Sequence, residues 1–367
     1  MVTKESLKKA KENVNLATLK LKQSYSNSPS CRKVYFIIEG KDDIAFYNAL
    51  DFDVFGIFYE NGMYRRLPEA VAKSVSDGVH YLHTNTAGGR VRFKTDSPYI
   101  AISAKMSEIG KMPHFALSGS AGFDLYVDNC YFATFMPPFD ISSGYESVVD
   151  LRHTGMHDIT INFPLYSNVN ELYIGLSDKA NITKPTPYRL DKPIVYYGSS
   201  ITQGGCASRP GNSYEAIISQ RMNVDHINLG FSGNARGEDE ICDYICSLDM
   251  CAFVYDYDHN SPTPEYLQET HEKMFKKIRL KFPNLPIIMM SRPKCNLTAD
   301  EKKRLEIINN TYKNANESGD KNVYLIEGYE LMRLCGDEGT VDGCHPNDWG
   351  FASMAMAVEG VLSKVLK

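Results

Sequence analysis

Between residues 189 and 367, short apolar runs alternate with longer amphipathic stretches. PIVYYGS precedes SYEAIISQRM, HINLGFS precedes EDEICDYICSL, and CAFVYDYD precedes PEYLQETHEKMFKKIRLKF. PIIMMSRP precedes ADEKKRLEIINNTYKNA, and VYLIEG is followed by FASMAMAVEGVLSKVL at the end of the chain. The apolar runs suit buried strands and the stretches between them repeat at helical spacing. Thr298 and Glu301 form a capping-box pattern at the start of one such helix. No hairpin turn separates the runs, so the pattern predicts a parallel α/β sheet. In such sheets the loops that leave the carboxyl ends of the strands collect functional residues. The positions to inspect therefore follow Tyr197, Leu229, Tyr257 and Gly328.

Residues 51–188 carry a different pattern. VFGIFYENG, VRFKTDSPYIAIS, FDLYVDN, CYFATFMP, HDITINFPL and ELYIGLS are short strand-like segments punctuated by Gly, Pro, Asn and Asp. Their spacing predicts a β-sandwich, with LPEAVAKSV as a short helix. Residues 1–50 form a third region: a lysine-rich amphipathic stretch, a polar SYSNSPS linker, and then 34-VYFIIEGKDDIAFYNAL-50. This last segment reads as a strand, an acidic turn with Glu39, Asp42 and Asp43, and a helix.

A formal net charge of -5 argues against a general nucleic-acid binder. The nine cysteines are odd in number and scattered, which fits reduced thiols rather than a disulfide framework. The first residues lack the apolar core of a secretory signal, and no run reaches bilayer length. Together these features predict a cytoplasmic protein without membrane or nucleic-acid partners.

The first strand-end loop, GSSITQGG, has Gly205 where a phosphate-binding loop needs lysine, and it also lacks the dinucleotide fingerprint. A serine here projects from the sheet edge, with its own N–H facing the same space. The second loop, 228-NLGFSGNARG-237, holds Gly233, whose N–H no side chain would shield. The third, 256-DYDHNSP-262, holds Asn260, whose amide can donate to an oxyanion or shape a turn. The last, 340-TVDGCHPNDWG-350, sets Asp342 three residues before His345, a spacing that lets a carboxylate meet an imidazole. Cys344 beside His345 lacks a second ligand pair at zinc spacing, and the His153 and His157 segment reads as a turn. No metal or other cofactor is therefore assigned. Arg209 and Arg292 follow strands and are candidate substrate-binding residues, while Ser199 is a rival to Ser200 by adjacency.

In this order, 198-GSSI-201, Gly233 in FSGN, Asn260 in YDHN and 342-DGCH-345 resemble the four blocks of the SGNH hydrolase (GDSL-type esterase/lipase) superfamily. The segment 122-GFDLYVDN-129 resembles the GxDLY signature of a β-domain found ahead of some of these enzymes. The resemblance implies a three-layer, flavodoxin-like α/β domain over 189–367, preceded by the β-sandwich. It also implies Ser200 as nucleophile, His345 as general base and Asp342 as its orienting acid. The oxyanion hole would comprise the Ser200 and Gly233 N–H groups and the Asn260 amide. Ser199 stands where the family has aspartate, and Asp258 where it has glycine. Tyr126 and Tyr145 are sugar-contact candidates in the sandwich.

The expected activity is hydrolysis of carboxylic esters through an acyl-enzyme, with acetyl esters of carbohydrates or other small molecules as substrates. An acyltransferase or thioesterase on the same site, or a carbohydrate-binding protein without catalysis, are the alternatives. Residues 1–50 resemble a truncated toprim start, but no later Asp-x-Asp pair completes a site. A Mg²⁺-dependent nuclease through Glu39 and Asp42 is disfavoured for that reason.

Overall fold

The computed structural model describes residues 41–151 and 154–366. The lysine-rich stretch, the SYSNSPS linker and Glu39 of the toprim-like turn lie outside the described residues.

The α/β domain is a five-stranded parallel sheet in the order His226–Gly230, Ile194–Gly198, Ala252–Asp256, Ile287–Met290, Val323–Ile326. Alternation along the strands sorts their side chains between two cores. Val195, Tyr197, Phe253, Tyr255, Ile287 and Met289 pack with the helices Asp239–Ile245, Pro264–Lys281 and Ala299–Glu317. Ile194, Tyr196, Ala252, Val254, Ile288 and Met290 pack with Tyr214–Met222 and Asp348–Val365 on the opposite face. Strands buried on both faces explain the continuous apolar runs in the sequence. The result is the three-layer, flavodoxin-like architecture. Its predicted capping box is present, with Thr298 Oγ1 accepting the Glu301 N–H at 3.3 Å and Glu301 Oε2 accepting the Thr298 N–H at 2.7 Å.

Ahead of it, two antiparallel sheets enclose a core that includes Phe93, Ile100, Ile102, Phe123, Leu125, Ile161 and Leu172. Ile44–Asn48, expected to begin a helix, is instead a strand paired with Glu171–Ser177. Asp43 accepts hydrogen bonds from the Tyr99 hydroxyl at 2.9 Å and the Ser177 hydroxyl at 2.7 Å, so this acidic residue anchors the edge of the sandwich. The helices Glu69–Val75 and Asp77–Leu82 leave the sandwich: their Val71, Ala72, Val79 and Leu82 join the α/β core beside Leu229 and Phe253. No described helix is long and apolar enough to cross a membrane, and the eight cysteines among the described residues are free thiols.

Candidate active site

The strand Ile194–Gly198 ends at a glycine because the next strand runs hard against it. A Cβ there would lie 1.7 Å from Asp256 Oδ1 and 2.3 Å from Thr202 Oγ1. The chain then winds into a single turn, with Gln203 N–H donating to Ser199 O at 3.0 Å and Gly205 N–H to Ser200 O at 2.8 Å. This turn sends its two serines in opposite directions. Ser199 is sealed from solvent, and its hydroxyl oxygen accepts the Ile201 N–H at 3.1 Å. Ser200 instead places Oγ 3.0 Å from His345 Nε2.

His345 sits on the loop before the helix Asp348–Val365. Its Nδ1 lies 2.8 Å from Asp342 Oδ2, and Asp342 Oδ1 accepts the backbone N–H groups of His345 at 2.8 Å and Cys344 at 3.0 Å. Gly343, at φ +81°, supplies the left-handed turn that folds the carboxylate back onto the ring. Burial works against the Asp342 charge, but the hydrogen bonds from His345 and Cys344 outweigh it and hold the carboxyl down at about 2. An ionised Asp342 fixes the Nδ1–H tautomer and leaves Nε2 as acceptor for the Ser200 hydroxyl. Such a chain can draw the proton from Oγ as the oxygen attacks a carbonyl carbon.

The two middle loops meet the serine turn. Phe231 N–H donates to Gly198 O at 2.8 Å, and the Ser232 N–H donates to Gln203 Oε1 at 3.0 Å. Gly233 has φ +69° with open space where a side chain would stand. Asn260 donates one amide hydrogen to Phe231 O at 3.2 Å, tying the third loop to the loop that carries Gly233. Its second amide hydrogen is a further donor. Asp258, at the position where the resembling family has glycine, braces the loops. It accepts the His259 N–H at 2.9 Å and the Arg292 N–H at 3.1 Å, and it pairs with the His259 ring.

Both candidate arginines hold carboxylates within the protein. Arg209 Nη1 bonds Asp124 Oδ2 at 2.9 Å and the Tyr126 hydroxyl at 2.7 Å, while its guanidinium lies 3.8 Å from the Tyr131 ring centre. Arg292 Nη1 bonds Glu301 Oε1 at 2.6 Å. The tyrosines proposed for sugar contact are structural as well. Tyr126 is buried in this interface, and Tyr145 is buried in the sandwich with its hydroxyl on Phe135 O at 2.6 Å.

Several residues that shape the site were not among those expected from the sequence. Tyr166, from the sandwich, donates to Ser200 O at 3.0 Å. Buried Arg66 donates to Gly230 O at 2.5 Å and holds the end of the second strand below the Gly233 loop. Asp256 is buried behind the serine turn, bonded to the Thr202 hydroxyl. His114, also from the sandwich, sets its ring 5.6 Å from that of His345. Of these, only Asp256 lay within a predicted loop, as the first residue of 256-DYDHNSP-262.

Residues 191–363 match the model of the GDSL-like lipase/acylhydrolase family, and residues 44–182 match GxDLY, the N-terminal region of SGNH-hydrolase-type esterases. Among solved structures, the chain is similar to one described as a GDSL-like lipase from Bacteroides ovatus. The two are 31% identical over 88% of this chain and 98% of that one, with a TM-score of 0.79. It is also similar to a salicylyl-acyltransferase of a tetracycline biosynthetic pathway, at 20% identity over 91% and 99% of the two chains and a TM-score of 0.71. A family two carbohydrate esterase from Clostridium thermocellum, solved with cellohexaose, aligns at 15% identity over 77% and 93%, with a TM-score of 0.56. A search of curated proteins found no match.

Proposed function

Because this chain belongs to the GDSL-like lipase/acylhydrolase family, with a GxDLY domain ahead of its α/β domain, we propose that it is a serine esterase removing acetyl groups from carbohydrates or similar small alcohols. The observation that carries the reading is the continuous chain from Ser200 Oγ to His345 Nε2 at 3.0 Å and from His345 Nδ1 to Asp342 Oδ2 at 2.8 Å.

In this reading Ser200 Oγ attacks the ester carbonyl while Nε2 takes its proton, and Asp342 steadies the imidazolium. The Ser200 and Gly233 N–H groups and the Asn260 amide stabilise the oxyanion. His345 then protonates the departing alcohol, and a water activated by the same Nε2 releases the acid. The preference for carbohydrate draws on the carbohydrate esterase among the similar folds. It is also supported by Trp349, a half-exposed aromatic face on the first turn of the helix after His345. The test is a panel of p-nitrophenyl esters of rising chain length together with acetylated oligosaccharides, on wild type and Ser200→Ala. Acetyl esters should turn over fastest and only with Ser200 present; equal rates for the variant would remove the assignment.

Acyl transfer is the second reading, favoured by the similar fold of the salicylyl-acyltransferase. Adding sugar alcohols, with either the p-nitrophenyl ester or acyl-CoA as donor, separates the two, because transfer yields a new ester where hydrolysis yields free acid.

A further inference from the structure

One side chain from each of three separate segments converges beside the serine. His114 comes from the sandwich, Cys206 from the loop that follows the serine turn, and His345 from the C-terminal loop. A potential ligand atom from each lies within 4.8 Å of the other two. Cys206 is buried and stands at φ +76°, a left-handed conformation that few residues other than glycine adopt. His114 is exposed and turns its ring toward that of His345, 5.6 Å away. In the sequence these residues are 92 and 139 positions apart, so no ligand-spacing pattern marks them.

One sulfur and two imidazole nitrogens form the donor set of a borderline-soft divalent cation, above all Zn²⁺. Zinc holds nitrogen at about 2.0–2.1 Å and thiolate sulfur at about 2.3 Å, which places tetrahedral donors roughly 3.5 Å apart. Closing the trio to that spacing asks for about an ångström of movement, which exposed His114 is placed to supply. The second sphere is already built. Asp342 holds Nδ1 of His345, the arrangement that orients an imidazole to present its other nitrogen to a metal.

We propose that His114, Cys206 and His345 form a Zn²⁺ site whose occupation switches the esterase off, an inference that rests on Ser200 and His345 acting as nucleophile and base. When zinc binds, the Cys206 S–H proton passes to solvent as the Zn–S bond forms, with no change of oxidation state. The Nε2 lone pair goes to the metal, so the Ser200 hydroxyl loses the acceptor for its proton.

The experiment titrates the metal-free full chain with Co²⁺, read by the thiolate-to-cobalt charge-transfer absorption, and with Zn²⁺, read by calorimetry and by p-nitrophenyl acetate turnover. One cobalt per chain should give the charge-transfer band, and Cys206→Ser should lose it. His114→Ala should weaken zinc binding and zinc inhibition together, by at least the roughly 10–100-fold that loss of an outer-shell partner costs. EDTA should restore wild-type turnover. If Cys206→Ser does not fold, the exposed His114 variant still decides the matter. Zinc inhibition at the same concentration in wild type and His114→Ala overturns the site. So does a missing cobalt band in a wild type that turns over ester, which leaves the esterase reading standing. A wild type that binds cobalt through Cys206 but cleaves no ester overturns the esterase reading and leaves the metal site.

Discussion

Asp124 of the sandwich and Arg209 of the α/β domain form an ion pair across the domain boundary, with the carboxylate oxygen 2.9 Å from Nη1 and Asp124 fully sealed from solvent. The same oxygen accepts the Gly211 N–H at 2.8 Å, and the Tyr126 hydroxyl donates to Gly211 O at 3.3 Å. A Cβ on Gly211 would lie 2.3 Å from that hydroxyl, so the loop needs a glycine here to pack so closely. The aspartate and tyrosine of GxDLY thus grip the loop that leaves the serine turn. This explains how a sandwich can matter to a reaction carried out on another domain.

Removing Asp124 strands the Arg209 charge and the Gly211 N–H. Asp124→Ala should lower stability by about 3–5 kcal/mol, and Tyr126→Phe by about 1 kcal/mol. Urea unfolding followed by circular dichroism measures both. An Asp124→Ala midpoint equal to wild type would mean that the pair contributes nothing.

Asn260 both braces the Gly233 loop and is proposed to donate to the oxyanion. Asn260→Ala should therefore reduce kcat by about 10²–10³ while the protein stays folded. Steady-state kinetics beside a thermal melt gives the answer, and a loss confined to KM would count against the oxyanion role.

Ser199 and Ser200 should respond differently to the same substitution. Ser199→Ala removes one acceptor for the Ile201 N–H and should cost about 1 kcal/mol of stability while acylation continues. Pre-steady-state bursts with p-nitrophenyl acetate read this directly. A vanished burst in a stable Ser199→Ala protein would move the nucleophile by one residue.

Asp256 carries a pH signature. Burial lifts its carboxyl from an ordinary 3.8 to about 7, against the opposing pull of His259 and the Thr202 hydroxyl. Between those values the folded chain keeps a proton that the unfolded chain has lost. This contribution to stability is therefore complete below about pH 4, declines as the pH rises, and levels off above about 7, a change of roughly 4 kcal/mol. Asp256→Asn should flatten this part of the profile in denaturant titrations at stepped pH. A variant with the wild-type slope would exclude Asp256 as its source.

The serine, glycine, asparagine and Asp-x-x-His loops were legible because a parallel sheet brings strand ends together whatever the distance in sequence. What stayed hidden depended on partners that no local pattern names. Arg209 meets Asp124 across 85 positions, so its loop composition resembles that of a solvated or ligand-facing arginine. Ile44–Asn48 has a spacing that fits either helix or strand, and its pairing with Glu171–Ser177 decided the matter. Tyr145 lies in a strand whose neighbours alternate, and the sheet register turned its ring into the core. The departures at Ser199 and Asp258 bear on how the loops are braced, since both residues accept backbone N–H groups there.

The proposed mechanism turns on Ser200 as the attacking residue. Intact-mass and peptide analysis after treatment with a serine-reactive phosphonate tests it most directly, on wild type, Ser199→Ala and Ser200→Ala. One adduct per chain is expected on Ser200 in wild type and in Ser199→Ala, and none in Ser200→Ala. An adduct that persists in folded Ser200→Ala, or that disappears in folded Ser199→Ala, would contradict it.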